Sequence, residues 1–526
     1  MRETGTTVAK DTSDRIKGQS TMCKPPQSPA VDIEHVFVHD DPRKWSKPRK
    51  RFTLAIVSGA SLLLTLAVSI YNPAINNIIV DLHTTYEKIS WTLSANALVT
   101  GVTPLLWGAF TEVYGRKVVY LISIVLFIIG SGVAGDAKNV TVLIVMRAVQ
   151  GMGASAVLTI GAATLADMYD PKERGAVMGI YYAAPLLGPS LGPIIGGALA
   201  QAFSWRAIFY FLAIFGGVSL LSFLFFKDTF RRERSLSYQA ALRQATEARR
   251  TSSDDVETLT ISVSAEKKEL DSVTPDPERQ SQAPLKIGLR HMQVVTPTLL
   301  VFKRINNVCV LTASGLIFGS ISYCLAFTTV RTLGAAPYNY KSLQIGLVLL
   351  SLGVGSILGS LLGGRWSDRV RRRFQEKNNG VSKSEDRLNS SKIMLPVLPA
   401  SIIAYAWMAD KKIVIAPLCV ALFFAGFSSA WIYSSILAYI VDANTGRSSS
   451  AVAANSFLRG IMAFVAAEVA VPLQDALGDG GLYTLIAGLM VIVDILILLL
   501  IGKGSEWRER AEETEKRRIA SSVTPS

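Results

Sequence analysis

A cation stranded in an otherwise charge-free apolar run is the feature of this chain most in need of a chemical explanation. Arg147 sits within residues 141–164 with no acid beside it. Near mid-helix such a residue costs ~2.5–3.5 kcal/mol on insertion scales, so something must compensate it. Gln150, three residues on, shares its helix face and could join it in hydrogen bonds to backbone carbonyls or to a proton-binding partner. Three further charges lie in apolar runs. Arg459 and Glu468 fall in the same run, nine residues or about 2.5 helical turns apart, which sets them on opposite faces and rules out mutual pairing. As a buried carboxyl, Glu468 is suited to taking up and releasing a proton. Asp494, inside Val491-Ile-Val-Asp494-Ile-Leu-Ile-Leu, fits either a proton site or an outer structural position. Tyr71, Asn72, Asn306, Asn307, Trp431 and Tyr433 are the polar and aromatic candidates for a substrate cavity or its gates.

The elements that must position these residues are membrane spans. The chain has 526 residues, of which 50% are hydrophobic and only 18% charged. Its mean hydropathy of +0.34 is too high for a water-soluble chain of this length. A bilayer core of ~30 Å takes ~20 apolar helical residues. Runs of that kind lie near 52–74, 91–111, 118–136, 141–164, 176–200, 205–226, 306–329, 343–364, 393–409, 413–439, 450–473 and 481–502, which predicts an all-α membrane protein of twelve spans.

The 54 Lys and Arg against 40 Asp and Glu leave a net charge of +14. With both tails on one side, nearly all of the basic residues fall on that side, the asymmetry expected of cytoplasmic segments. The excess therefore orients the protein against anionic lipid, and nucleic acid is excluded as a partner. Residues 1–51 read as a disordered basic tail ending in Arg43, Lys44, Lys47, Arg49, Lys50 and Arg51, with no cleavable signal peptide. Four scattered cysteines and four histidines support neither a disulfide framework nor a metal site, and no cofactor is expected.

Residues 227–305 are polar and charged and read as a largely disordered linker. They separate a six-span bundle, residues 52–226, from a second, residues 306–502, which a tail of residues 503–526 follows. The loop after span 2 reads Gly108-Ala-Phe-Thr-Glu112-Val-Tyr-Gly115-Arg116-Lys117, and that after span 8 reads Gly364-Arg-Trp-Ser-Asp368-Arg369-Val-Arg371-Arg372-Arg373. Glycine, an acid four residues on and a basic cluster recur in the same place. Two such units predict pseudo-symmetric bundles with a cavity between them.

These loops resemble the signature of the major facilitator superfamily, with Glu112 where Asp is usual and Arg371 replacing the second glycine of the repeat copy. Arg147-Ala-Val-Gln150-Gly151-Met-Gly153 is similar to the family's span-4 motif, and Ala184-Pro-Leu-Leu-Gly188-Pro-Ser-Leu-Gly192-Pro193-Ile-Ile-Gly196-Gly197 to its antiporter motif, with Ala184 in place of glycine. Shorter phrases are similar to fungal members of the twelve-span drug:proton antiporter branch. The resemblance implies proton coupling at Arg147 and a conformational latch on the tail side formed by Gly108, Glu112, Gly115, Arg116, Lys117 and Asp368, in which Gly108 lets span 2 approach a neighbour. Independently of it, Ala184, Gly188, Gly192 and Gly196 recur every four residues and form a small-residue stripe for close helix packing, bent by Pro185, Pro189 and Pro193.

The function so implied is secondary active transport: proton-coupled efflux, by alternating access, of a xenobiotic, organic acid or secondary metabolite, including amphiphiles and glycolipids. A facilitator or importer of the same fold is the alternative, and a transporter-like sensor the alternative of another class. No Walker loop, nucleophile elbow or metal-ligand cluster points to an enzyme. The expected partners are a small molecule, protons and the bilayer. A monomer is expected, in the plasma membrane or else the vacuolar membrane, with both termini cytoplasmic.

Overall fold

A computed structural model of the chain describes residues 40–169, 171–232, 295–377, 383–444 and 447–523, with isolated positions between 238 and 246. Helices dominate. A helix closes most of its backbone hydrogen bonds within itself, which is what a segment surrounded by hydrocarbon requires. Outward-facing apolar residues such as Ile214, Leu221 and Ile495 are exposed, as lipid-facing positions should be.

In the first half, span 1 (Lys47–Ser69) continues through a 3-10 turn, Asn72–Ala74, into the short helix Ile75–Asp81. Spans 2 to 6 are Tyr86–Tyr114, Arg116–Gly135, Val140–Met168, Pro171–Ala202 and Trp205–Leu224. Residues just before two of them act as caps: Thr85 accepts the Lys88 N–H at the start of span 2, and Asn139 accepts the Val142 N–H at the start of span 4.

The second half begins with span 7, Ile305–Gly334, whose middle, Phe318–Leu325, widens into a π-helix. Span 8 is Ser342–Lys377, span 9 the shorter Val397–Asp410 and span 10 Ile415–Ala443. A single element, Ser448–Val523, carries the last two spans and breaks at Gly478, whose φ of 69° favours glycine. Ten of these elements are long and apolar enough to cross a membrane. Dividing the last one at Gly478 and adding the shorter span 9 gives the twelve rods expected.

The boundaries differ from the sequence reading where charge meets helix. The basic tail does not run to residue 51: a 3-10 turn, Pro42–Lys44, precedes span 1, which already starts at Lys47. Asp40 pairs with Lys227 and Arg231, so the two ends of the first half hold each other. The linker is folded at both margins. Asp228 and Thr229 pack onto the first half, and Val295–Phe302 forms a helix before span 7. Opposite charges and an apolar run, Leu299 to Phe302, give these ends partners that low overall hydropathy hides. Residues 1–39 and 247–294 lie outside the described residues.

Past the last span the chain stays helical to Val523. Glu515 joins Arg304 and Arg447, and Glu385 accepts the Arg508 guanidinium. The tail is thereby tied to the starts of spans 7 and 11.

The halves meet along two seams. Span 2 packs on span 11, where Gly101 meets Gly460, and span 5 packs on span 8, where Gly353 meets Ser190 and Gly346 meets Pro193. At the face away from the tails the seams are closed. Gly334 abuts Asn76, Ser342 shares a 3.4 Å contact with Asn77, and Arg331 stacks 5.0 Å over Tyr86. Among the described residues, every ion pair joins two positions of one half.

Candidate functional site

Arg147 is wholly buried at the core of the first half. Its Nη1 donates to the Ala67 carbonyl at 3.0 Å and to Gln150 Oε1 at 2.5 Å, and the guanidinium lies 4.8 Å over the Tyr71 ring. Gln150 in turn donates to Ser131 at 2.7 Å, while Asn96 on span 2 donates to the Arg147 carbonyl at 2.8 Å. The Tyr71 hydroxyl is bound to Thr92 at 3.0 Å. Spans 1, 2, 3 and 4 thus converge on one cation. Its Nε and Nη2 hydrogens have no partner.

From the second half comes a matching arrangement. Arg459 donates to the Tyr433 hydroxyl at 2.7 Å and stacks 3.8 Å from the Phe318 ring and 4.8 Å from that of Tyr433. Phe318 opens the π-helical stretch of span 7 and makes an edge contact of 5.4 Å with Tyr323 on the same stretch. Tyr323 is buried within electrostatic reach of both arginines. Wide turns of this kind recur at functional positions, because the extra residue redirects side chains that a regular helix would aim elsewhere.

The carboxyls stand apart from these cations. Glu468 is half-buried on span 11 and faces Ser94 of span 2, so it lies on a seam between the halves. Asp494 is half-buried on span 12 among the exposed Val491, Ile492 and Ile495, with no charged neighbour acting on it. Each keeps one buried oxygen without a hydrogen-bond partner.

The candidate latch residues cluster on the tail face. Arg116, only 6% exposed, binds Asp167 at 3.3 Å, Glu112 at 3.4 Å and the Thr111 hydroxyl. Gly115 has a φ of 87° and lies so close to the Asp228 carboxylate that a Cβ would collide with it. That carboxylate accepts the Arg116 N–H at 3.1 Å and so caps span 3. Lys117 closes the end of span 6 through the Leu224 carbonyl at 2.9 Å. In the second half, Arg387 bridges Asp368 at 3.1 Å and Asp442 at 2.6 Å. Each half thus joins an acid at the end of its second span to one at the end of its fourth through a single arginine, although the two arginines come from different segments.

Several expected positions fall elsewhere. Gly108 has open space where its Cβ would be and lies inside span 2, which continues to Tyr114, so it permits no close approach. The antiporter-motif glycines do make close contacts: Gly188 against Thr65, Gly192 against Ser69 and Gly196 against Ile70 of span 1. Gly197 meets Ser342 at the start of span 8, and the Pro193 carbonyl meets Gly346. This one helix therefore seats on its own half and on the other.

Asn306 and Asn307 do not line a cavity. Asn306 donates to Tyr439 at 3.1 Å, and Asn307 exchanges two amide bonds with Asn444 at 2.9 and 3.0 Å, clamping span 7 to span 10. Trp431 donates to the Ser390 carbonyl at 3.1 Å and anchors the 3-10 segment Ser384–Ser391. Asn72 is buried at the start of the 3-10 turn that follows span 1. Of the cavity candidates, Tyr71 and Tyr433 touch the arginines. Tyr323, Phe318, Asn96 and Asp167 were not singled out from the sequence. A π-helical turn has no local signature, and an acid at the end of a span looks like any boundary charge. Two apolar grooves of about 500 and 890 Å³ lie elsewhere, along Leu106, Tyr114 and Ile122 and along Val420 and Phe424. Their exposed apolar walls mark them as lipid-facing.

With this geometry in place, comparison with known proteins is direct. Residues 57–467 match the family profile described as Major Facilitator Superfamily. The chain is similar to the MFS antiporter QDR3 of Candida albicans, at 26% identity over 95% of this chain and 84% of the relative. It is also similar to citrate exporter 1 of Aspergillus niger, at 26% identity over 90% of this chain and 89% of the relative. Among solved structures, a D-xylose-proton symporter superposes with a TM-score of 0.60 at 14% identity, covering 85% of this chain and 97% of that one, a likeness of fold. The chain is a multi-pass membrane protein and belongs to the Major Facilitator Superfamily of transporters.

Proposed function

We propose that this protein exports a small organic molecule from the cytoplasm in exchange for protons, by rocking its two halves about a central vestibule. The observation that carries the reading is that Arg147 from one half and Arg459 from the other both lie within electrostatic reach of Tyr323, while among the described residues the halves meet through packed seams and single polar contacts and no ion pair. A transporter needs a site that both halves share and an interface that can part. Glycine contacts and single hydrogen bonds can part, whereas ion-paired interfaces would resist.

Direction and coupling find support in the relatives, one named an antiporter and another an exporter. The basic residues gathered on the tail face support cytoplasmic termini. With the opposite face closed, the vestibule then faces the cytoplasm, the state that loads an export substrate. Glu468, on the seam and without a cationic partner, carries the exchanged proton, and Arg147 with Gln150 transmits its state to the vestibule. The tail-face cluster around Arg116 ties spans 2, 3 and 4 into one unit that moves as a body and serves as the latch of the first half. Asp368 serves the second. The protein works as a monomer in the plasma membrane.

The test compares metabolites inside and outside cells with and without this gene, each with and without a protonophore. Export predicts compounds that build up inside when the gene is absent or the gradient is collapsed. Unchanged distributions would overturn the reading, and redistribution that ignores the protonophore would remove proton coupling from it.

A further inference from the structure

The interior charges of this protein do not balance locally. Arg147 has no exposure at all, and its electrostatic neighbours are the phenols of Tyr71 and Tyr323, with no carboxylate among them. Two of its three nitrogens carry hydrogens that bind nothing, and Arg459 likewise leaves its buried Nε unpaired. The two intramembrane acids offer no relief. Glu468 has the Ser94 hydroxyl beside it rather than a cation, and Asp494 has no charged neighbour acting on it. Elsewhere the chain pairs its arginines readily, as Arg116 with Asp167 and Arg387 with Asp442 show. Arg147 and Arg459 thus differ from the buried Arg116 and Arg304, each of which has a carboxylate partner.

A buried unpaired cation is costly, and aromatic faces compensate it only in part. A guanidinium with free hydrogens in a low-dielectric setting is a preorganised receptor for a planar oxyanion, since its fork matches a carboxylate and each charge-assisted bond is roughly twice as strong as a neutral one. The walls beside the two forks are rings: Tyr71 under Arg147, and Phe318 and Tyr433 against Arg459. Charge at the centre and apolar surface around it describe the complement of the ligand.

Resting on the export reading above, we infer that the transported class is organic carboxylates: the carboxylate bridges Arg147 and Arg459 beside Tyr323, and the organic body lies on the rings of Tyr71, Phe318 and Tyr433. Because the forks belong to opposite halves, the bound anion joins the halves and its departure frees them. Cations meet two like charges there and are rejected.

The experiment uses the purified full chain in detergent and reads thermal stabilisation by citrate and phthalate, by the diethyl ester of phthalate, and by the cation ethidium. Carboxylates are expected to stabilise the protein, with the ester and ethidium ineffective. Arg459→Gln should weaken the apparent affinity about tenfold, the scale of one lost charge-assisted contact, and Arg459→Lys less. The unliganded melting temperature of each variant reports whether it has folded. Stabilisation by ethidium or the ester equal to that by phthalate would overturn the inference, as would no stabilisation by either carboxylate, or unchanged affinity in a folded Arg459→Gln. The export reading is judged separately, by pH-driven flux. Flux of ethidium without carboxylate binding would sink the anion inference and leave export standing, whereas carboxylate binding without any pH-driven flux would do the reverse.

Discussion

Gly101 of span 2 and Gly460 of span 11 meet backbone to backbone: a Cβ built on Gly101 lies 2.6 Å from the Cα of Gly460, and one built on Gly460 lies 2.7 Å from that of Gly101. This contact joins the halves near mid-span. Only two residues without side chains can approach so closely, so the seam is sensitive to a single methyl group. Gly460→Ala should displace span 11 from span 2 at a cost of about 1–3 kcal/mol, by analogy with overpacked cores. A lowered melting temperature together with slowed transport is expected. Gly364→Ala, where the added carbon meets open space, is the control and should leave both unchanged.

Arg116 is the most deeply buried charge of the tail-face cluster, with Asp167 and Glu112 both on it. Removing it takes away the cation that these two acids share. Arg116→Ala should destabilise the protein by about 3–5 kcal/mol, the range for breaking a buried pair. Size-exclusion profiles of the solubilised variant would show this as aggregated material. Glu112→Gln removes one of two acids and should leave membrane abundance near wild type while changing the transport rate. Equal rates at matched abundance would remove Glu112 from the latch.

The two intramembrane carboxyls should separate cleanly on mutation. Glu468 faces Ser94 across a seam between the halves, whereas Asp494 has lipid-facing neighbours. Glu468→Gln is expected to abolish pH-driven transport in a protein that still folds and binds ligand. Asp494→Asn should retain that transport. Full pH-driven activity in Glu468→Gln would exclude it as the proton carrier.

Glu515 connects the tail helix to Arg304 and Arg447. The acid is about one-third exposed, with a side-chain accessibility of 33%, so each link is worth little. Glu515→Ala should cost about 1 kcal/mol, more at low salt than at high. Thermal melts at two ionic strengths would check both the size and the trend.

Much of this architecture is readable from residue order because hydrocarbon imposes one rule, that long apolar runs become helices. Span 7 followed it, yet its π-helical middle did not announce itself, and with it Phe318 and Tyr323 stayed hidden. Arg147 was legible because an isolated cation in an apolar run has a cost that composition makes visible. Its counterpart across the interface was not, since nothing in the order of residues places Arg459 against Phe318 of span 7 and Tyr433 of span 10. Asn306 and Asn307 misled for the opposite reason: polar amides near a span end look like a gate, and the structure spends them on each other, Tyr439 and Asn444. Gly108 failed likewise, because the family pattern records a glycine there but not what stands opposite it.

The most direct test of proton-driven export is flux from sealed vesicles holding the purified protein, loaded with phthalate and placed in a more acidic medium. Protein-dependent release that stops when a protonophore collapses the gradient, and that Glu468→Gln abolishes, is the predicted result. Release of the same size without the gradient, or in the Glu468→Gln vesicles, would contradict it.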